Sequence, residues 1–96
     1  MKALVTGASG FVGKHLIEHL EESGDDVFGT DIVSGGPDLS DLGGLADLFH
    51  DVSPEVIFHL AGQADVGHSW NAVNETFRSN AEGTLNVLTA ARSADI

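Results

Sequence analysis

Three glycines among the first sixteen residues have a spacing that could bind an anionic ligand. Gly7, Gly10 and Gly13 stand three residues apart, directly behind the short apolar run 2–6. A helix N-terminus offers unpaired N–H groups and the positive end of the helix dipole, and both favour a phosphate. In a dinucleotide-binding turn the first glycine allows the sharp turn, the second lets the backbone approach the pyrophosphate, and the third lets the helix pack against the sheet. The spacing predicts such a turn, and the alternative is a glycine-rich turn without a ligand.

A carboxylate follows these glycines at a suitable distance. Asp31 ends the second predicted strand, roughly 20 residues beyond the glycines, as dinucleotide-binding turns require. There it can accept hydrogen bonds from ribose hydroxyls and would repel a 2′-phosphate, which favours NAD over NADP. The alternative is an ordinary turn residue at the end of a strand.

The elements that must position these residues alternate between strand and helix. Short apolar runs ending in glycine or aspartate predict the strands, and apolar residues at helical spacing predict the helices. The predicted strands are 2–6, 27–31 and 55–62, with a very short one possible near Asp38 and Leu39, and the helices are 12–23, 42–53 and 71–93. This order indicates an α/β fold with a parallel sheet and right-handed crossovers.

The last predicted helix has one apolar stripe along its whole length. The stripe consists of residues spaced by three or four positions: Val73, Phe77, Ala81, Leu85 and Leu88. Asn71 is the candidate N-cap, because its side chain can accept a bond from a free N–H of the first turn.

Composition restricts the partners of the chain. Fifteen Asp and Glu face four Lys and Arg, giving a formal net charge of −11, which argues against nucleic acid or an anionic membrane as partner. The same balance resembles proteins of salt-loving organisms, in which salt screens the self-repulsion. Cysteine is absent, which excludes disulfides and thiolate metal sites. No apolar run is long enough to span a bilayer and no leader is recognised, so a soluble, cytoplasmic protein is expected.

Four segments, in order, carry a family resemblance. They are "TGASGFVG", "DLSD", "VIFHLAGQADVGHSW" and "TFRSNAEGTLNVLTAAR". Together they resemble the extended short-chain dehydrogenase/reductases, the NAD-dependent epimerase/dehydratase family, and within it the GDP-mannose 4,6-dehydratase and GDP-4-keto-6-deoxymannose reductase groups. The resemblance covers all 96 residues. It implies a Rossmann-type doubly wound parallel sheet, here incomplete, with 1–96 as the N-terminal half of the dinucleotide-binding domain and no second domain in this chain.

The resemblance also implies where NAD would bind. The expected pyrophosphate contacts are backbone groups of 7–12, among them Gly7, Ser9, Gly10, Phe11 and Val12, and Gly13 is counted with the cofactor-binding residues as the glycine that packs the helix. Asp31 and Ile32 are expected at the adenosine ribose, Asp38 and Leu39 at the adenine, and Leu60, Ala61 and Gly62 at the other ribose. Further expected residues are Gln63, Val66 and Trp70 near the nicotinamide or sugar, and Asn80, which supports the catalytic centre from the helix.

The chemistry that the resemblance implies is hydride transfer at a nucleotide-linked hexose. The family uses a Ser or Thr and a Tyr-x-x-x-Lys pair, whereas this chain has no tyrosine and only the lysines Lys2 and Lys14. No catalytic residue is therefore expected here, and the 96 residues alone are predicted to be inactive. The implied partners are the dinucleotide, a nucleotide-sugar, and a second copy through 71–93. Two alternatives stay open: a non-catalytic NAD-binding or redox-sensing protein, and a doubly wound domain that binds no dinucleotide.

The histidines have simpler interpretations. His15 and His19 have the spacing of metal ligands, but without a third ligand a solvated helix face is expected and no metal site is predicted. His59, in an apolar strand, is expected to be a hydrogen-bonded core residue rather than a catalytic base. His68 and Trp70 fall in the loop after that strand, where Trp70 is either a pocket wall or simple packing.

Overall fold

The computed structural model describes residues 1–62 and 70–96, with side chains in the second range from 73 onward. Strands and helices alternate through this part of the chain, as the sequence predicts. The elements are β1 Lys2–Thr6, α1 Phe11–Glu22, β2 Asp26–Thr30, α2 Leu42–Val52, β3 Val56–His59 and α3 Trp70–Ser93.

The sheet is parallel, with the strand order β2-β1-β3. The central strand pairs on both sides, so that Ala3 lies opposite Val27 of β2 and Val56 of β3. Leu4 and Val5 are fully buried, because helices cover both faces of β1, and this explains its continuous apolar run. The predicted Rossmann-type, open parallel sheet is confirmed.

Successive residues of β1 pack into two separate cores. Leu4 contacts a cluster from α2 and α3 that includes Phe49 and Val87. Its neighbours Ala3 and Val5 point to the opposite face and pack on Leu20 of α1. Because side chains alternate along a strand, α1 covers one face of the sheet while α2 and α3 cover the other, which is the doubly wound arrangement.

Several predicted boundaries differ from the structure. β2 begins and ends one residue earlier, and β3 ends at His59, since its pairing with β1 stops opposite Thr6. The possible strand at 38–39 is wrong: the segment is a turn in which the Asp41 N–H donates to the Asp38 carbonyl at 2.9 Å. Helix α3 begins at Trp70, so Asn71 lies inside it and is not the N-cap.

The apolar stripe of α3 faces outward. Phe77, Leu85 and Leu88 are 75%, 61% and 62% exposed. The packed face consists of smaller residues, Thr76, Gly83, Val87 and Ala90. Gly83 lies against Leu39 before α2, while Val87 and Ala90 pack in the core with β1 and α2. The periodicity is as predicted, but the stripe is not part of the core. Among the helices that the structure describes, none is both long and apolar enough to cross a membrane.

Candidate functional site

A cavity of about 370 Å³ opens at the carboxyl ends of the strands. This edge is where open α/β sheets bind their ligands. Ten of the predicted site residues line it, namely Gly7, Gly10, Asp31, Ile32, Asp38, Leu39, Leu60, Ala61, Gly62 and Asn80. Ser9, Phe11, Val12 and Gly13 do not line it. Gln63 and Val66 lie outside the described residues, and so does the side chain of Trp70.

Gly7 sits where the chain turns sharply out of β1. Its φ is +69°, and a Cβ there would lie 2.9 Å from the Ala61 nitrogen and the Leu60 carbonyl carbon. The glycine is therefore required by its backbone conformation and by the close approach of the end of β3.

Gly10 is the N-cap of α1 and has no such constraint. Its φ and ψ are −72° and 168°, which is ordinary extended backbone. Beyond its chain neighbours, the one described atom within 4 Å of an added Cβ is the Gly7 carbonyl oxygen, at 3.3 Å. No side chain in the described part of the chain caps this helix N-terminus, and its first turn holds no acidic residue. The open space therefore lies beside N–H groups that can bind an anion.

Gly13 is buried and faces the turn rather than a strand. A Cβ there would lie 2.2 Å from the Gly7 carbonyl oxygen and 3.0 Å from the Ala8 Cα. Helix α1 thus packs directly on the β1–α1 turn. Gly13 therefore has a packing role behind the cavity, as expected of the third glycine, although it packs on the turn, and its place among the cofactor-binding residues stays a prediction.

The aromatic and apolar residues that open α1 are exposed to solvent. Phe11 and Val12 are 81% and 61% exposed. The Phe11 ring meets His15 edge-on, with 4.6 Å between the ring centroids. Neither side chain reaches the cavity in this structure, so only their backbone groups are near the predicted pyrophosphate position.

Asp31 accepts hydrogen bonds from both sides of the cavity mouth. Its carboxylate receives the Ser9 N–H at 2.7 Å and the Ser34 N–H at 3.0 Å, together with the hydroxyls of both serines. The N–H of Ser9, followed by that of Ser34, lowers the pKa of Asp31 below its usual value. The group is therefore anionic at neutral pH, as the predicted ribose acceptor must be. Ser9 contributes through Asp31 rather than through the cavity wall, and Ser34 was not predicted.

The loop before α2 is positioned by α3. The Leu39 carbonyl accepts a bond from Asn86 Nδ2 at 2.8 Å, and the Leu39 side chain lies within 2.9 Å of a Cβ placed on Gly83. Beside it, the N–H of Ser40 bonds to Asp38 at 2.9 Å and lowers the pKa of this carboxyl. Asn86 and Gly83 are missed by the sequence reasoning, although a buried glycine in a helix indicates a close contact.

The end of β3 is held by β1. The Thr6 hydroxyl oxygen accepts the N–H groups of Leu60 at 3.0 Å and Ala61 at 3.1 Å. It also lies 2.8 Å from Nδ1 of His59, whose Nε2 is 3.3 Å from the Thr84 hydroxyl. Burial lowers the pKa of His59. The prediction of a hydrogen-bonded histidine is confirmed, but the side chain is half-buried and belongs to neither core cluster. Thr6 and Thr84 were not predicted.

Asn80 of α3 lies next to Gly62, the last described residue after β3. A Cβ placed on Gly62 would lie 3.1 Å from Asn80 Oδ1. Helix α3 therefore brings Asn80 to the cavity, as predicted, while its support of a catalytic centre stays a prediction. Among residues 1–62 and 70–96, no three His, Asp or Glu side chains are placed to bind a metal.

The family model described as "NAD dependent epimerase/dehydratase family" matches residues 3–96. The chain is 34% identical to UDP-glucose 4-epimerase of Mycolicibacterium smegmatis, over all of this chain and 36% of that protein. It is 30% identical to a UDP-glucose 4-epimerase of Klebsiella pneumoniae, over all of this chain and 84% of that sequence. The crystal structure of Thermus thermophilus UDP-glucose 4-epimerase in complex with NAD superposes with a TM-score of 0.88 at 32% identity, over all of this chain and 35% of that one.

The chain thus spans about a third of the length of the Mycolicibacterium and Thermus proteins. The alignments are also longer than 96 residues, so these relatives contain extra residues within the matched region. All three are named as UDP-glucose 4-epimerases, and the expected similarity to the GDP-mannose enzymes stays a prediction. Since the family model covers nearly the whole chain, and since the whole chain superposes on part of the Thermus enzyme, the chain belongs to the NAD-dependent epimerase/dehydratase family.

Proposed function

We propose that this chain binds NAD in the cavity at the carboxyl ends of its strands. The observation that carries the proposal is the open side of Gly10, beside a helix N-terminus that no described side chain caps and in the same cavity as the anionic Asp31. An extended backbone with space in place of a Cβ suits a bound pyrophosphate, and a carboxylate that lines the same cavity suits a ribose. The residues present therefore fit the cofactor.

The proposed contacts follow the walls of the cavity. The backbone of 7–12 would hold the pyrophosphate, and Asp31 with Ile32 the adenosine ribose. Asp38 and Leu39 would lie beside the adenine, and 60–62 beside the second ribose, with Gln63 continuing that wall.

We further propose that these residues are the cofactor-binding part of a sugar-nucleotide epimerase, dehydratase or reductase. Bound NAD supplies a hydride acceptor and donor for a nucleotide-linked hexose. Because the chain has no tyrosine, it cannot supply the Tyr-x-x-x-Lys pair of the family, and the acid/base and sugar-binding groups are assigned to other parts of the full-length protein. The 96 residues represent part of one dinucleotide-binding domain in this proposal.

Titration of the full-length protein with NAD tests the binding site. Gly10→Val should abolish binding while the protein stays folded, because extended φ and ψ suit a branched residue but its methyl groups would fill the pyrophosphate position. Gly43→Val is the matched control, since Gly43 is exposed on α2 and has only the Asp41 carboxylate within 4 Å of its Cβ. Unchanged NAD affinity in Gly10→Val would show that the glycine serves only the turn. Turnover of a nucleotide-linked hexose by the wild type then distinguishes an enzyme from a binding or sensing protein.

Asp31 should select NAD over NADP. Its carboxylate would face a 2′-phosphate at close range, and like charges repel there. Asp31→Asn should narrow the difference between the two binding constants, while Asp47→Asn, which removes an exposed charge on α2, should not. Equal or tighter binding of NADP by the wild type contradicts the assignment.

We also propose that the exposed stripe of α3 contacts a second copy of the protein. The support is the resemblance together with the exposure of Phe77, Leu85 and Leu88. The net charge of −11 opposes association at low salt and permits it once screened. Light scattering across a salt series should show a mass increase that Leu88→Asp prevents, and a monomer at every salt concentration refutes the contact.

A further inference from the structure

Three polar side chains form a hydrogen-bonded row across β1, β3 and α3. Thr6 is 2% exposed and ends the central strand. Its Oγ1 lies 2.8 Å from Nδ1 of His59, and Nε2 of the same ring lies 3.3 Å from Oγ1 of Thr84. This Thr6–His59–Thr84 row connects the three elements that surround one end of the cavity.

The proton positions in the row follow from counting donors and acceptors. A threonine hydroxyl has one proton to donate and two lone pairs. Both lone pairs of Thr6 are used by the N–H groups of Leu60 and Ala61. The hydroxyl proton therefore goes to His59 Nδ1, which must be unprotonated, and Nε2–H then donates to Thr84. The row requires a neutral His59 in a single tautomer.

We propose that His59 is a positioning residue for NAD, acting through the Thr6 hydroxyl on the backbone of 60–61. This inference rests on the proposed NAD site. Leu60 and Ala61 line the cavity, and their backbone lies within 2.9 Å of the place a Gly7 Cβ would occupy. A proton on Nδ1 would point at an oxygen with no lone pair left, so Thr6 would have to release Leu60 or Ala61. NAD affinity should therefore fall when His59 becomes protonated.

The surroundings of His59 contain no competing charge among the described residues. Its contacts on β1 and α3 are the two uncharged threonines, and burial is the one cause that lowers its pKa. Asp and Glu titrate well below pH 5.5. The other described histidines lie on exposed helix faces, His15 and His19 on α1 and His50 on α2. His68 lies outside the described residues.

Two isosteric substitutions separate the halves of the row. The carbonyl of an asparagine can take the place of Nδ1, and the amide of a glutamine can take the place of Nε2–H. His59→Asn should keep the bond from Thr6 and bind NAD within about threefold of the wild type at pH 8. His59→Gln loses that bond and should bind about tenfold more weakly, the value of one hydrogen bond.

The pH profile of NAD affinity is the decisive readout, measured by calorimetry on the full-length protein between pH 8 and 5.5. Wild-type affinity should fall toward acid pH, and His59→Asn should be flat because it cannot titrate. His19→Asn and His50→Asn, which change exposed histidines of α1 and α2, are the controls and should keep the wild-type profile. A His59→Asn protein with the wild-type pH dependence, or with weaker binding than His59→Gln, overturns the proposal.

Two further measurements keep the proposal testable if His59 variants fold poorly. In the cofactor-free protein, ¹⁵N–¹H NMR of the ring should show the neutral Nε2–H tautomer at pH 8, and the Nδ1–H tautomer refutes the row whether or not NAD binds. Thr84→Val should weaken NAD binding several-fold, with recovery in Thr84→Ser, since only serine restores the hydroxyl. If the wild-type protein binds no NAD, the proposed function is wrong. The NMR measurement still tests the hydrogen-bonded row, because it does not require NAD.

Discussion

Replacing Gly13 with alanine should destabilise the fold through a single backbone contact. The new Cβ would lie 2.2 Å from the Gly7 carbonyl oxygen and 3.0 Å from both Cα and the carbonyl oxygen of Ala8. These atoms belong to the main chain, so α1 must move away from the turn by about 1 Å to restore ordinary contact distances. Overpacking of this kind costs about 1–3 kcal/mol, and a backbone obstacle places it near the upper end. Because alanine favours the helix over glycine by about 1 kcal/mol, the net loss in the free energy of unfolding should be about 2 kcal/mol.

Urea unfolding followed by circular dichroism measures this loss. Gly10→Ala is the matched control, because it makes the same chemical change three residues earlier, where the nearest described atom is 3.3 Å away. It should cost less than about 1 kcal/mol, the ordinary difference between glycine and alanine at an N-cap. The two variants should thus lose different properties. Gly13→Ala loses stability, whereas Gly10→Ala keeps most of its stability and loses NAD affinity.

A Gly13→Ala protein with the wild-type unfolding midpoint would refute this reasoning. It would mean that α1 does not press on the Gly7 carbonyl, and that the third glycine has another purpose. A Gly10→Ala protein that is as unstable as Gly13→Ala would refute the division between a packing glycine and a ligand-facing glycine.

Three other changes test separate parts of the structure. Burial lowers the pKa of His59, so the unfolded chain takes up the proton first as the pH falls. The contribution of neutral His59 to stability is therefore complete above about pH 6.5 and is lost as the pH falls from there through the lowered pKa. Melting temperatures measured from pH 8 to 5 should decline in the wild type, and the decline should be smaller in His59→Asn. Gly83→Ala should cost up to about 2 kcal/mol in urea unfolding, because the new Cβ would lie 2.9 Å from Leu39 Cδ1 and 3.0 Å from Leu39 Cβ, and the gain of about 1 kcal/mol in helix propensity offsets only part of the overpacking; an unchanged midpoint contradicts that contact. Asp41→Ala removes the N-cap of α2, which accepts the Gly44 N–H at 3.0 Å, and should cost about 1 kcal/mol; a loss below a few tenths of that value shows that the cap is dispensable.

The sequence was sufficient for the order of the elements because each depends on local patterns. The apolar run of β1 and the glycines behind it predict a strand, a turn and a helix without knowledge of the rest of the chain. Asp31 was found for the same reason, since the end of a strand before a turn fixes its place. Ser34 was missed although it is only three residues after Asp31, and an Asp side chain at a turn commonly accepts a backbone N–H two or three residues later.

Contacts distant in sequence could not be predicted from these patterns. Thr6 and His59 are 53 residues apart and meet only because β1 and β3 pair in register. The packed face of α3 was missed because hydrophobicity favoured the stripe that contains Leu85 and Leu88. Close packing against Leu39 instead selects small residues such as Gly83, and a hydrophobicity pattern does not reveal such a face.

Asp31 has a consequence for how cofactor preference could change in evolution. Its carboxylate accepts four hydrogen bonds, two from Ser9 in the glycine turn and two from Ser34 beyond β2. A single substitution of Asp31 that admits a 2′-phosphate would also leave these donors without their acceptor and loosen the turn that is proposed to bind the pyrophosphate. A lineage that moves toward NADP would therefore pass through a poor binder of both cofactors, unless a compensating change near Ser9 or Ser34 came first. In the proposed site, the preference for NAD would thus be protected by the architecture of the turn, and not only by the charge at its entrance.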